Sequence, residues 1–279
     1  MEKTLVRNKS IFIYVEWLIV FIFLAWTLLP IFWIVLTSFK ETVDIFTVPP
    51  KIVFRPTLSN YIRAFIRGNF SAYFVNSLII AVSSAFLSVL LGSMAGYSLA
   101  RFRVYRKGLI AVLILFARMV PAIVLVIPLF NLMKNMGLLD SLMSVIIAHT
   151  TFNLPFVTWM MRGFFQELPA ELEEAATVDG CSRTQAFLRV ALPLTAPGLA
   201  ATTILALLLS WNEFLFALVL TSVRTRTLPV AVSGFIGAVS VDWGGSTAAA
   251  TVIMTPMVIA GLIVQKHLVR GLTMGAIKG

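Results

Sequence analysis

Residues 72–99, 141–161 and 246–265 contain no Asp, Glu, Lys or Arg, and each run is 20 residues or longer. A helix rises 1.5 Å per residue, so about 20 apolar residues cross the hydrocarbon core of a bilayer. Three further apolar stretches reach that length, at 11–36, 109–130 and 198–222. All six far exceed the roughly 9–11 residues of a barrel strand, and backbone in lipid must satisfy its own hydrogen bonds. The chain therefore reads as an all-α membrane protein with six transmembrane helices. Its 12% charged residues agree, since a soluble domain carries about 25%. We see no internal repeat and no low-complexity tract, so residues 1–279 read as one transmembrane domain. The 11–36 stretch is too long for the apolar core of a secretory signal and reads as a retained first span.

Six spans put both termini on one side. The segments 1–10, 101–107, 162–197 and 266–279 carry 13 Lys and Arg, against 8 in 37–71, 131–140 and 223–245, at nearly equal total length. The positive-inside rule places the first set, and both termini, in the cytoplasm. Arg101, Arg103, Arg106 and Lys107 are the sharpest signal. The net charge of +10 is thereby read as membrane orientation, and no nucleic-acid partner is expected. The single cysteine, Cys181, excludes an internal disulfide framework and offers no metal-ligand spacing.

The segment 162–197, between spans four and five, is the most informative. Five of the twelve acids fall within 167–179. Pro169 suits the first turn of a helix, and Glu171, Glu173 and Glu174 lie toward its N-terminal half, where the macrodipole favours acids. Gly180 suits the left-handed position that ends a helix. Ser182 with Gln185 forms a capping-box pattern opening a second helix, and Pro193 is placed to stop it near the next span. A cytoplasmic helix–turn–helix follows. A rigid projection of this kind moves as one body when pushed, and Ala175 and Ala176 offer a small-residue surface for close approach by a partner. A passive loop is the alternative.

Glu174-Ala175-Ala176, three residues, Gly180, nine residues, then Val190-Ala191-Leu192-Pro193 resembles the EAA motif of ABC importer permeases, EAA-x3-G-x9-I-x-L-P. Val190 replaces the Ile, and Asp179 before the glycine also fits. Ser38-Phe39-Lys40, Asn60-Tyr61, Pro155-Phe156, Trp211-Asn212-Glu213-Phe214, Thr227-Leu228-Pro229 and the tail from Gln265 to Gly279 are similar to the carbohydrate-uptake branch, in particular the maltose-type second permease subunit. The resemblance implies that Glu174, Ala175, Ala176, Asp179, Gly180, Leu192 and Pro193 couple to a cytoplasmic ATPase dimer. It further implies a second permease subunit completing a heterodimer, an extracytoplasmic substrate-binding protein, and surrounding membrane lipid. ATP and Mg would sit on the ATPase, with no cofactor and no metal on this chain. The tail residues Gly275, Ala276, Ile277, Lys278 and Gly279 would also touch the ATPase. The implied cargo is a sugar or oligosaccharide, with a polyol or glycerophosphate-type solute as the alternative.

Among individual residues, Arg118 lies in an apolar run where a central Arg costs roughly 2.5–3.5 kcal/mol, so it either faces protein or a water-filled path, or snorkels to an interface. Glu213 is read as an interfacial anchor or interhelical hydrogen bond, with a gate contact as the alternative. His149 and Asn153 read as interhelical hydrogen-bonding groups. Arg118, Asn153, Trp211, Asn212 and Glu213 are the candidate path residues. The prolines Pro30, Pro121, Pro128, Pro155 and Pro256 predict kinks, and the third span is expected to break near Pro121 into a span and a shorter outer helix. No G-x-x-x-x-G-K-[ST] loop is present, so ATP hydrolysis belongs to another subunit. No catalytic residues are assigned. A membrane enzyme would need a clustered catalytic set, and a secondary transporter commonly carries buried acidic relays, for which Glu213 is the one candidate in the later spans.

Overall fold

The computed structural model describes residues 2–235 and 241–276. Among these the architecture is helical, without a strand. The main helices are α1 (Glu2–Ser38), α2 (Phe70–Arg101), α3 (Lys107–Met119), α4 (Ala122–Asn135), α5 (Leu142–Glu167), α6 (Glu171–Val178), α7 (Arg183–Leu194), α8 (Ala196–Trp211), α9 (Leu215–Leu220), α10 (Leu228–Ser233) and α11 (Trp243–Ala276). Four helical stretches are long and apolar enough to cross a membrane: Ile13–Ser38, Phe70–Arg101, Leu142–Glu167 and Trp243–Ile263. Two bent pairs pass the same test of length and composition when each is taken together, α3 with α4 at 92° and α7 with α8 at 80°, which makes up to six candidate spans.

The breaks have local causes. Val120 takes an extended conformation, ψ 123, because a following proline disfavours the helical region; Pro121 then stands at the N-cap of α4. Pro30, Pro128, Pro155 and Pro256 stay inside helices. The fifth run departs from expectation. Instead of one helix over 198–222, α8 ends at Trp211 and α9 starts at Leu215, although no Pro or Gly lies between them. Pro193 departs too. A π-turn at Phe187–Ala191 precedes it, with the Leu192 N–H reaching the Phe187 carbonyl. The wider register carries the helix through the proline to Leu194, and the bend falls at Thr195.

The chain forms two compact units, one from residues up to Asn69 with Phe235–Val252, the other from Phe70–Gly234 and the residues from Ile253 onward. In the first, residues 13–33 of α1 are exposed on every side, the pattern of a helix whose surroundings are lipid or another subunit. Beyond its end, Asn60 is a buried staple. Its amide nitrogen donates to the carbonyls of Ser38 (2.9 Å) and Lys40 (2.8 Å), and its oxygen accepts from Arg63. Arg63 also pairs with Asp242 at 3.2 Å. A Cβ on Gly244 would come within 2.4 Å of the Asn60 side-chain oxygen, so that position requires glycine. Lys40 is buried, its ammonium 4.4 Å from the centre of the Trp33 ring. The Ser38 and Tyr61 hydroxyls meet at 2.7 Å. Ser38, Lys40, Asn60 and Tyr61, singled out as two separate motifs, thus form one cluster.

In the second unit α2 packs along α5 through small residues. Ser77, Ala81, Ser84, Ser88, Gly92 and Gly96 recur every three or four positions and are all buried. A Cβ on Gly96 would sit 2.8 Å from the Arg162 amide nitrogen. Close backbone approach is how helices associate in lipid, where apolar burial gives little drive. One apolar cluster joins Ile80, Val126, Val145 and Phe216, and a second joins Tyr97, Val157, Met161 and Phe165.

Candidate functional site

The 162–197 segment is built by its caps. Ala170 is the N-cap of α6, with Pro169 just before it rather than in the first turn. The helix ends in a Schellman motif: the Cys181 N–H reaches the Ala176 carbonyl at 2.9 Å and the Gly180 N–H reaches Thr177 at 3.1 Å, with Gly180 at φ +90. This satisfies the orphan carbonyls through one left-handed residue. The capping box at Ser182 is present in both directions, Ser182 N to the Gln185 side-chain oxygen at 2.8 Å and Gln185 N to Ser182 Oγ at 3.3 Å. None of the residues of α6 is buried. Glu174, Ala175, Asp179, Gly180 and Pro193 are exposed, Ala176 and Leu192 partly so. The motif residues therefore share an uncovered projection.

A residue not singled out beyond its acidity roots that projection. Glu173 accepts from the Tyr97 hydroxyl at 2.5 Å and from Arg101 Nε at 2.6 Å, while Arg101 Nη2 donates to the Leu168 carbonyl at 2.9 Å. Tyr97 and Arg101 lie one turn apart at the end of α2, so their shared face was readable from spacing. Their partner, over 70 positions away, was not.

The path candidates divide. Glu213 Oε2 meets His149 Nε2 at 2.9 Å; His149 Nδ1 meets Ser210 Oγ at 2.6 Å; Ser210 Oγ meets Ser84 Oγ at 2.7 Å. A buried polar relay thus links α2, α5 and the α8–α9 break. Glu213 also accepts the N–H groups of Phe216 and Ala217, capping α9. The interhelical reading of Glu213 and His149 holds, and Ser210 and Ser84 are additions. Asn153 is buried and donates to the Ala206 carbonyl at 3.3 Å. Trp211 is buried, its indole N–H 3.2 Å from the Ile253 carbonyl, next to the ladder position that Pro256 leaves open. Asn212 is exposed and donates to Leu208 within its own helix.

Arg118 stands apart from this relay, in the last turn of α3, with its guanidinium 4.2 Å from the centre of the Phe152 ring. One terminal nitrogen is buried with no hydrogen-bond partner among the described residues. Phe152 lines an apolar cavity of about 340 Å³ with Ala117, Leu129 and Phe216. Of the tail candidates, Gly275 and Ala276 end α11, and Ile277, Lys278 and Gly279 lie outside the described residues. Elsewhere Asp140 joins two loops: it accepts from the Ser222 and Thr225 hydroxyls and the Ser222 N–H, and these bonds hold its carboxyl down to about 2. Among the described residues no group of three or more His, Cys, Asp or Glu could hold a metal ion.

Bent apolar helices, a polar relay between them and an uncovered helix–turn–helix define a membrane permease subunit. Residues 88–274 match the family described as binding-protein-dependent transport system inner membrane component, and the chain belongs to that family. It is 38% identical over 255 residues to the sulfoquinovosyl glycerol transport system permease protein of Agrobacterium fabrum, covering 90% of this chain and 89% of that one. It is 38% identical over 262 residues to the trehalose transport system permease protein of Mycobacterium tuberculosis, covering 91% and 94%. Its fold matches a chain of a bacterial ABC transporter involved in import of the acidic polysaccharide alginate, with TM-score 0.78 over 93% of this chain and 97% of that one, at 24% identity. The chain is thus an inner-membrane permease subunit of an ABC importer, as its resemblance to that family implied.

Proposed function

We propose that this chain forms one half of a translocation path for a sugar or oligosaccharide. A second permease subunit completes the path, an extracytoplasmic binding protein delivers the solute, and a cytoplasmic ATPase dimer drives it with ATP and Mg. The observation that carries this reading is the exposed α6–Gly180–α7 projection. Its small and acidic side chains, Glu174, Ala175 and Ala176, are exposed or half-exposed, and the Schellman turn at Gly180 with the Ser182–Gln185 capping box fixes the junction between its two helices. It is the ATPase-docking element, with 162–197 as the coupling loop. Transport permeases of trehalose and of sulfoquinovosyl glycerol among its relatives support the carbohydrate class.

Arg118 fits a place on the path. Its buried nitrogen lacks an acceptor among the described residues, an unpaired buried donor is costly, and an acceptor on the partner permease or the solute would meet that cost. The experiment is reconstitution of the four components in proteoliposomes, with uptake tested against a panel of sugars, polyols, glycerophosphate derivatives and amino acids. ATP-dependent uptake of a sugar that requires both the binding protein and this chain is the expected result. Uptake of only a polyol or glycerophosphate would move the substrate class. Uptake without the ATPase would overturn the reading.

A further inference from the structure

α6 is attached to the membrane body in an unusual way for a helix that must bear force. None of its residues is buried, so apolar packing contributes little to holding it. Among the described residues, Glu173 is the one α6 side chain that bonds to another element. Its two oxygens take the Tyr97 hydroxyl and Arg101 Nε, and the same guanidinium reaches the Leu168 carbonyl between α5 and α6. The Arg101 and Glu173 side chains retain only 16% and 12% of their exposure. Tyr97 is itself locked by ring contacts with Phe165 at 5.4 Å in α5 and Phe187 at 4.7 Å in the π-turn of α7. The end of α2, the end of α5, the first turn of α6 and the π-turn of α7 are therefore joined through Glu173, Arg101 and Tyr97.

A partly buried ion pair adds little net stability over an apolar contact of similar shape. What it adds is geometry, because a bifurcated carboxylate with a guanidinium and a phenol permits few alternative positions. From this point α2 runs back along α5 on its small-residue face, with Gly92 and Gly96 too close to the Val157–Arg162 stretch for a Cβ. Two helices in such contact transmit displacement rather than absorb it.

We propose that Glu173, Arg101 and Tyr97 form a positioning clamp that converts displacement of α6 into displacement of α2 and α5, separately from the residues that dock the ATPase. The proposal rests on the reading of α6 as the docking element. Glu174, Ala175 and Ala176 make the contact; Glu173 passes the movement on. Breaking the clamp leaves the ATPase bound and hydrolysing while the spans respond poorly.

The test uses the complete importer in proteoliposomes, measuring ATPase co-purification, binding-protein-stimulated hydrolysis and solute uptake on the same preparations. Glu173→Gln keeps the side-chain shape and loses the charge; Tyr97→Phe keeps the ring and loses one hydroxyl. For Glu173→Gln the ATP consumed per solute should rise about tenfold, the scale of losing one hydrogen bond to a charged group, with ATPase co-purification within about twofold of wild type. Tyr97→Phe should shift the ratio the same way by less. Glu173→Arg alone should uncouple more strongly, and combining it with Arg101→Glu should recover part of the loss. A wild-type ATP-to-solute ratio in both Glu173→Gln and Tyr97→Phe overturns the clamp, as does loss of ATPase binding in step with uptake, which would make Glu173 a docking residue. If Glu173→Gln does not assemble, Tyr97→Phe decides alone, since its packing is intact. Ala175→Trp separates the two levels: if it leaves ATPase binding unchanged, the docking reading of α6 fails; if it abolishes binding while the clamp variants couple normally, only the clamp fails.

Discussion

At Glu213 one side chain does three jobs at once. It holds His149 across the bundle, accepts two backbone N–H groups at the start of α9, and stands where α8 ends. A cap of this kind is worth about 1 kcal/mol, and a buried donor left without its acceptor costs about 1–3 kcal/mol. Glu213→Ala should therefore destabilise the purified subunit by about 2–4 kcal/mol. Glu213→Gln, which keeps one oxygen for the Phe216 amide and replaces the one that accepts from Ala217, should lose about half of that. Thermal unfolding in detergent measures both, and equal midpoints for Glu213→Ala and wild type would contradict the assigned role. The same residue marks a boundary of sequence reading. Its hydrogen-bonding character followed from an acid in an apolar run. The break it stabilises did not, because the signals that reveal breaks in a sequence are Pro and Gly, and 212–214 has neither.

At the scale of the element, α6 and its turn show why local chemistry is the most legible part of a sequence. Gly180 at φ +90 and the reciprocal Ser182–Gln185 cap depend on residues at most a few positions apart, so the string carries them. The space around Gly180 is empty: a Cβ there would meet nothing within 4 Å. The glycine is required by its backbone angle alone. Gly180→Ala should then cost about 1–2 kcal/mol of local strain, borne by the turn, since no neighbour has to move. Gly180→Val should cost more, because branching at Cβ stiffens the residue further. The expected readout is weakened ATPase co-purification in the order wild type, Ala, Val, with membrane insertion unchanged. Undiminished binding by Gly180→Val would separate the turn from docking. Against this, the π-turn just before Pro193 was not legible. It is five residues long, and nothing in Phe187–Ala191 distinguishes that register from an ordinary helix. The pairing of Glu173 with Arg101 was hidden for a different reason: contact across 72 positions is a property of the packed bundle.

For the whole molecule, the charge distribution gives an expected orientation in the bilayer. Segments flanking the spans on the side of 101–107 and 162–197 hold 13 Lys and Arg, against 8 on the side of 131–140. Moving cations across the membrane during insertion is opposed, so the richer side is expected in the cytoplasm. That orientation puts Cys181, one residue past the Gly180 turn, where an ATPase would reach it. Asp140 and its partners Ser222 and Thr225 are then expected on the opposite face. Cys181 is free and partly exposed, which makes it a native reporter. In intact spheroplasts a membrane-impermeant maleimide should leave it unlabelled. In inverted vesicles stripped of peripheral proteins the same reagent should label it. Val223→Cys in a Cys181→Ser background supplies the reciprocal reporter, since Val223 is 62% exposed and belongs to the other loop set. It should label from outside and not from within. Labelling of Cys181 in intact spheroplasts, with Val223→Cys protected there, would invert the topology and move the α6 projection away from any cytoplasmic ATPase. Adding purified ATPase back to the stripped vesicles then joins topology to function: occupied α6 projections should protect Cys181 and leave Val223→Cys unaffected.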